Sequence, residues 1–293
     1  MRNQKQMWWR TALILGFAAI LLAAATIPAT AAGPTRMPDE MVLTKAQQDE
    51  ALRGMGPQER ERRAAQWADP AVLPVSYSRA YFVLEDDGAG GEKPVEVGRT
   101  DGSEAPNFRV PNLDTAATTG SGTRYDLYIS VAVVRTACSG CYQWAIDNWA
   151  DWKGNTGKDY ANNIEDMIGT SWAGDLTLHH DTYTGEYNAC CGTPIKKLDI
   201  YRSDATPNEG VGWSFHEWTD QSQCCTKSMN WGDGTAYIRQ TTWKCRSDNV
   251  VHKYVHSKGG TAGYSLSFYN AGVSVTPADS NQWSVAAYAT FSH

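Results

Sequence analysis

The strongest constraint on this fold is a series of short segments with alternating apolar and polar residues, running from residue 124 to residue 293. In the first segment, the large residues at every second position are Tyr125, Leu127, Ile129, Val131 and Val133. A period of two is typical of a β-strand with one buried face. Stretches such as NEGVG, WGDGT and SKGGTAG separate the segments and are typical of turns. Seven or more such strands predict an all-β domain over residues 124–293, a β-sandwich or a barrel.

A polar helical pattern precedes this domain. Thr44 and Gln47 have the spacing of a capping box, which predicts a helix that runs to about Arg53. Pro57 is well placed in the first turn of a second helix, which stops before Pro70. Both helices contain few large apolar residues. We therefore expect residues 32–75 to pack loosely, or to act as a pro-segment or spacer.

The region over residues 76–123 is predicted to join the two parts. It begins with a strand predicted over 75–85, and Gly, Pro, Asn, Thr and Ser become frequent from residue 97 onward. The stretch TAATTGSGT at 115–123 is typical of a linker. Beyond it, only residues 160–168 favour a helix.

Residues 1–31 have the three-part pattern of a secretory signal peptide. Three basic residues precede the apolar run TALILGFAAILLAAATI, and Ala29 and Ala31 form a small-x-small cleavage site. A membrane anchor is the alternative, but this run is at the short end of a span. We expect a secreted protein with no membrane contact after cleavage. The absence of any Asn-x-Ser/Thr acceptor favours a bacterial source.

The charge of the chain excludes one class of partner. The formal net charge is -6, and loss of the basic N-terminus makes the mature chain more acidic still. Proteins that bind phosphate backbones depend on basic patches. No Lys/Arg cluster occurs in the second half. We therefore expect no nucleic-acid partner.

All seven cysteines lie in the second half of the chain: Cys138, Cys141, Cys190, Cys191, Cys224, Cys225 and Cys245. In an exported protein they are expected to form disulfides that staple the fold. Neighbouring cysteines point to opposite faces of a strand. Each member of the two adjacent pairs should therefore reach a different partner. Seven is odd, so six are expected to pair, and Cys138–Cys141 is the short-range bond that we favour.

Metal and redox chemistry are the alternatives for these residues. Cys138 and Cys141 have the spacing of a zinc half-site or a redox pair. The nearest histidines with ligand spacing, His252 and His256, lie more than a hundred residues downstream. For a redox pair, we would expect a Trp before Cys138 and a strand-to-helix context, and the sequence shows neither. We predict neither a metal nor a cofactor.

A calcium site is the alternative for the acidic residues near WKGNTG. Asp147, Asp151, Asp159 and Asp166 surround this stretch and could supply oxygen ligands. Their spacing is not that of an EF-hand loop. We favour a solvated polar connection.

Two His/carboxylate clusters are the candidates for catalysis. They are His179-His180-Asp181 and His216-Glu217, and neither belongs to an HExxH or a Gly-x-Ser-x-Gly motif. On a strand, His179 and His180 should face opposite ways and should not chelate one ion together. His180, Asp181, His216 and Glu217 are therefore weak candidates for a hydrolase site assembled by the fold.

Tryptophan is the remaining signal, since 9 of the 12 lie between residues 144 and 283. Exposed aromatic side chains stack on sugar rings or form protein interfaces, although most Trp residues are buried. We predict a ligand-binding face at Trp213, Trp218 and Trp231.

Together these patterns predict an exported protein at or outside the cell surface, with a binding or structural role. The partner would be a polysaccharide or a protein, and no catalytic motif is evident. A secreted hydrolase is one alternative. A toxin or bacteriocin-like protein that matures by losing its helical segment is the other.

Overall fold

The computed structural model describes residues 42–88, 92–101, 125–138, 141–153, 164–173, 175–187, 196–197, 199–220, 225–227, 229–240, 247–257, 264–269, 272–277 and 282–292. Two helices come first, α1 (Lys45–Arg53) and α2 (Pro57–Trp67). Fifteen strands follow: β1 (Val72–Asp86), β2 (Glu92–Asp101), β3 (Leu127–Cys138), β4 (Cys141–Trp152), β5 (Ile164–Trp172), β6 (Thr177–Tyr187), β7 (Lys196–Lys197), β8 (Ile200–Thr206), β9 (Gly210–Asp220), β10 (Cys225–Lys227), β11 (Met229–Gln240), β12 (Ser247–Ser257), β13 (Tyr264–Tyr269), β14 (Gly272–Pro277) and β15 (Gln282–Ser292).

Most strands form two antiparallel sheets, which we call the large sheet and the small sheet. The large sheet has the order β2-β1-β3-β4-β11-β6-β7. The small sheet has the order β10-β9-β5-β12-β15, and β8 also pairs with β9. Strands β13 and β14 form a separate hairpin. The predicted all-β, sandwich-like architecture with two short helices before it is confirmed.

The main core lies between the two sheets, and the period-two pattern explains it. Leu127, Ile129 and Val131 of β3 are fully buried there. Val285 and Phe291 of β15 enter the same cluster from the small sheet. Burial of one such side chain stabilises the fold by about 1.5–3 kcal/mol. The alternation seen in the sequence therefore sets which face of each strand points inward.

The capping box predicted for α1 is confirmed. The Gln47 backbone N–H donates to Thr44 Oγ1 at 3.3 Å, and the Thr44 N–H donates to Gln47 Oε1 at 2.8 Å. At the other end, the Arg60 side chain donates to the carbonyls of Leu52, Arg53 and Met55. These bonds satisfy carbonyl groups that a helix C-terminus leaves unpaired.

Two expectations are wrong. Loose packing of the helical segment is wrong for α2, because Glu59, Arg63 and Trp67 are buried. A helix over 160–168 is wrong where the structure describes it, because residues from Ile164 onward form β5. Strand pairing with β9 and β12 on both sides outweighs the local helical tendency there.

Several predictions fall on residues outside the described ranges. These are the signal peptide over 1–31, the whole linker at 115–123 and every cysteine side chain. Cys138 and Cys141 face each other in the β3–β4 backbone register. The disulfide pattern stays a prediction. Neither helix that the structure describes combines the length and apolarity required to cross a membrane.

Candidate functional site

The candidate site is the face of the large sheet that points away from the small sheet, which we call the outer face. Strand alternation places eight side chains on it: Tyr77, Arg79, Tyr128, Ser130, Asp147, Trp149, Trp231 and Asp233. Their strand neighbours, such as Ile129 and Ile146, point into the core. The outer face therefore combines aromatic rings with charged groups, whereas the inner face is largely apolar.

Residues 42–71, which we call the cover, lie on this face. The buried residues of α2 recur at every fourth position, Glu59, Arg63 and Trp67, so they form one stripe along the helix. Trp67 packs edge-on against Tyr77, with ring centroids 6.2 Å apart. At the start of the cover, the Leu43 N–H donates to the Pro74 carbonyl at 2.8 Å.

A buried ion network joins the cover to the sheet. The Arg63 side chain is 4% exposed, and its Nη1 lies 3.2 Å from Asp147 Oδ2. Its Nη2 lies 3.7 Å from Asp233 Oδ1. Asp147 also accepts hydrogen bonds from Gln66 Nε2 and Thr235 Oγ1, each at 2.7 Å. Burial opposes the charge on Arg63, but the carboxylates of Asp147 and Asp233 outweigh it and raise the Arg63 pKa.

The carboxyl groups under the cover have raised pKa values. Glu59 is fully buried, and burial raises its pKa although Arg63 and the Ser130 hydroxyl favour the ionised form. Burial raises the pKa of Asp151 to about 7, and the Glu59 charge adds to the effect. Burial also raises the pKa of Asp233. Negative charge is therefore disfavoured at three positions while the cover is in place.

Arg79 lies under the loop between the two helices. Its guanidinium group lies 5.0 Å from the ring centroid of Tyr81 and 5.6 Å from that of Tyr77. Arg79 is 1% exposed, and its Nε and Nη1 atoms have no hydrogen-bond partner among the described residues. A Cβ on Gly54 would lie 2.0 Å from Arg79 Nη2, so only glycine permits this approach. The cover thus buries a cation whose hydrogen-bonding capacity is only partly used.

An aromatic stack lies beside the ion network. The rings of Trp149 and Trp231 are parallel within 4°, with centroids 5.0 Å apart. The Arg62 guanidinium lies 5.0 Å from the Trp231 ring centroid, on the cover side. Trp231 Nε1 donates to Glu186 Oε2 at 3.1 Å, which fixes the ring position.

This arrangement has two chemical capacities. With the cover in place, it joins α2 to the sheet through charged hydrogen bonds. With the cover removed, it would present flat aromatic rings beside carboxylates and an arginine. Sugar rings and peptide side chains bind to groups of this kind, because the rings supply apolar area and the charged groups pair with polar atoms.

The tryptophans of the predicted ligand-binding face lie in different parts of the structure. Trp213 is 2% exposed and lies in the core between the sheets, where Nε1 donates to Asp181 Oδ1 at 3.0 Å. Trp231 is 7% exposed and lies on the outer face. The Trp218 side chain is outside the described residues. Trp213 and Trp231 therefore do not share a surface, and the ligand role of the three stays a prediction.

The weak catalytic candidates lie on two different sheets. His180 and Asp181 are on β6, while His216 and Glu217 are on β9. Asp181 Oδ2 lies 3.2 Å from Arg202 Nη1, and its other oxygen accepts from the Trp213 indole. His216 is exposed, and nothing is described of the Glu217 side chain. The carboxylate of Asp181 thus contacts Trp213 and Arg202. A catalytic role for the four candidates stays a prediction.

The expectation that His179 and His180 face opposite ways is wrong. Their ring centroids are 5.0 Å apart, and their Nδ1 atoms are 3.3 Å apart. The reason is an irregularity in strand pairing. Tyr237 pairs with His180 and Ile238 pairs with Leu178, so His179 is an extra residue in β6. The sequence shows no signal for this position.

A buried carboxylate–imidazole pair lies between the sheets. His256 Nδ1 is 2.9 Å from Asp166 Oδ2, and the Ser257 N–H donates to Asp166 Oδ1 at 3.0 Å. The Tyr254 hydroxyl also donates to Asp166. All of these residues are buried, so the cluster is closed to solvent.

The metal alternatives are not assembled in the described part of the chain. Asp147 lies on the outer face and Asp166 lies between the sheets, so they cannot share an ion. Asp147 is 1% exposed, and the solvated polar connection expected there is wrong at that residue, because α2 covers it. Burial lowers the pKa of His252 to about 3. Among the described residues, no group of three or more His, Cys, Asp or Glu can hold a metal.

Comparisons with known proteins give only distant likenesses. No protein-family model matches the chain, and no curated protein matches its sequence. The chain is similar to a solved structure described as "Pore forming protein", at 6% identity and a TM-score of 0.35, over 72% of this chain and 99% of that one. It is similar to Clostridium perfringens delta-toxin at 7% identity and a TM-score of 0.33, over 77% and 98% of the two chains. A structure concerned with adhesion by Fap1 fimbriae of Streptococcus parasanguinis gives 9% identity and a TM-score of 0.26, over 78% and 92%. At TM-scores below 0.5, these likenesses support no argument about function.

Proposed function

We propose that this protein is an exported binding protein that acts at or outside the cell surface. Its ligand-binding face is the outer face of the large sheet, which the cover occupies until it is released. The signal-peptide pattern of residues 1–31 supports export. The single observation that carries the proposal is the concentration of aromatic and charged side chains beneath the cover.

A purely structural interface would not require this composition. Buried ion pairs contribute little net stability, and apolar replacements of similar volume are often as stable or more stable. The Arg63–Asp147–Asp233 network therefore fixes the position of the cover on the sheet, but it does not give the strongest possible binding between them. The Arg79 donors that lack a hydrogen-bond partner among the described residues also favour a face made for a polar ligand.

The ligand class that fits this face is a polysaccharide. Trp149 and Trp231 supply flat apolar area against which a sugar ring can stack. Asp147, Asp233 and Arg79 supply acceptors and donors for sugar hydroxyl groups. A protein with an extended aromatic-rich surface is the second partner class.

The exposed turn between α2 and β1, at the end of the cover, allows a direct test. Residues 68–71 are all exposed, so a specific protease site can be inserted there in the mature chain. We expect cleavage and loss of the cover to raise binding to insoluble cell-wall polysaccharide by more than about tenfold, or 1.4 kcal/mol. Co-sedimentation before and after cleavage measures this change.

Matched variants separate the outer face from other aromatic surfaces. Trp231→Leu should abolish the gain in binding. Tyr201→Leu is the control, because Tyr201 is 59% exposed on β8 of the small sheet. If mass spectrometry shows that the cover has left and binding does not rise, the proposed face is wrong.

A toxin that matures by losing the cover is the second candidate, and the same exposed turn favours it. This function predicts that the natural secreted protein begins near residues 70–76. N-terminal sequencing of the exported protein tests it. A start at Ala32 would argue against natural removal of the cover.

A further inference from the structure

The His179–His180 pair lies at a β-bulge, a feature that often re-aims side chains next to functional sites. In the β6–β11 register, Leu178 pairs with Ile238 and His180 pairs with Tyr237. His179 has no partner on β11 in this register. Leu178 packs against the core, so the extra residue brings both imidazole rings to the other side of the strand.

The distance between the two Nδ1 atoms matches the distance between two nitrogen ligands of one metal ion. Their Nδ1 atoms are 3.3 Å apart. Two nitrogen ligands at about 2.05 Å from a tetrahedral ion are separated by about 3.3 Å. This distance therefore suits a tetrahedral ion such as Zn²⁺, whereas Cu²⁺, which prefers square-planar angles, requires the two rings to approach by a few tenths of an ångström.

The surroundings make the pair accessible and fix one of its members. Both side chains are exposed. The His180 ring stacks on Tyr237, with centroids 4.1 Å apart and planes within 11°. This stack holds the His180 ring in place.

We propose that His179 and His180 bind one divalent transition-metal ion of the class that prefers imidazole, such as Zn²⁺ or Cu²⁺, through their Nδ1 atoms. The two rings occupy two coordination positions. The remaining positions are filled by water or by a ligand from another molecule. The oxygen-preferring ions Mg²⁺ and Ca²⁺ are excluded by the nitrogen donors.

The test is titration of the mature protein with Cu²⁺, followed by electron paramagnetic resonance. We expect one bound ion per chain whose spectrum shows coupling to two imidazole nitrogens. His179→Asn and His180→Asn should each weaken binding by more than about tenfold, since loss of outer-shell partners alone has effects of that size. Both positions are exposed, so unchanged thermal unfolding would show that these variants fold.

Three controls keep the result specific. His216→Asn removes an exposed histidine from the small sheet and should leave Cu²⁺ binding unchanged. Alkylation of thiols before titration removes any contribution from cysteine. Tyr237→Phe keeps the ring stack and should retain the affinity, whereas Tyr237→Leu should weaken it. Equal binding by wild type and the two Asn variants, or a spectrum without nitrogen coupling, would overturn the proposal.

Discussion

Arg63→Met is the most informative test of how the cover is held. Met retains much of the apolar stem of Arg63, so the loss of packing is expected to stay under about 1.5 kcal/mol. Removal of the guanidinium leaves Asp147 with the Gln66 and Thr235 donors as its partners in the described part of the chain. Among the described residues, it leaves Asp233 with Arg62 as its remaining ion-pair partner. Breaking one side of a buried ion network destabilises a protein by about 3–5 kcal/mol. That range is a large part of a typical free energy of unfolding of about 5–15 kcal/mol.

Urea unfolding followed by circular dichroism and Trp fluorescence measures the effect. If the cover and the sheets unfold together, the midpoint falls while the m-value stays constant. If the cover releases first, fluorescence from Trp149 and Trp231 changes at lower urea than the circular dichroism signal.

Two further variants show whether burial is the cause. Lys45→Ala breaks an exposed pair, in which Lys45 is 77% and Asp49 51% exposed, and should change stability by less than about 0.5 kcal/mol. Adding Asp147→Asn to Arg63→Met should recover part of the loss, because it removes an uncompensated charge. A loss in Arg63→Met no larger than in Lys45→Ala would refute the buried network.

The remaining predictions concern pH, a buried acceptor and a close approach. Burial raises the pKa of Asp151 from 3.8 to about 7, so its contribution to stability is fully present below pH 3.8 and is lost as the pH rises through 7. Asp151→Asn should therefore raise the free energy of unfolding at pH 8 by up to about 4 kcal/mol and change little at pH 3.5, as urea unfolding at the two pH values will show. Asp166→Ala leaves three buried donors, including the Tyr254 hydroxyl, without their acceptor and should destabilise by at least about 3 kcal/mol. A thermal midpoint within 2 °C of wild type, equivalent to less than about 1 kcal/mol, would contradict this role. Gly234→Ala places a Cβ 2.3 Å from the half-buried Tyr183 ring and should destabilise by about 1–3 kcal/mol in the same assay.

The sequence predicted the elements whose signals are local. The capping box located α1, because Thr44 and Gln47 satisfy backbone groups within one turn. The alternation in β3 and β15 identified the residues that face the core. The helix expected at 160–168 was wrong where it is described, because strand partners distant in sequence decide the conformation of β5.

The candidate site could be predicted only in part. The residues of the outer face alternate visibly, as Asp147 and Trp149 do within β4. This pattern is usual for a solvated sheet face, so it did not show that α2 covers these side chains. The partners of Arg63 lie on β4 and β11, more than eighty residues away along the chain.

The sequence by itself determined the strand period, the two helices and the inward-facing residues, because these depend on neighbours within a few positions. The tertiary structure decided which charged residues are buried, since ion pairing between α2 and the large sheet depends on distant segments meeting. It also decided that His179 and His180 lie on one side of β6, because a bulge arises from the register between two strands. Both sites therefore depend on contacts between segments that the order of residues does not reveal.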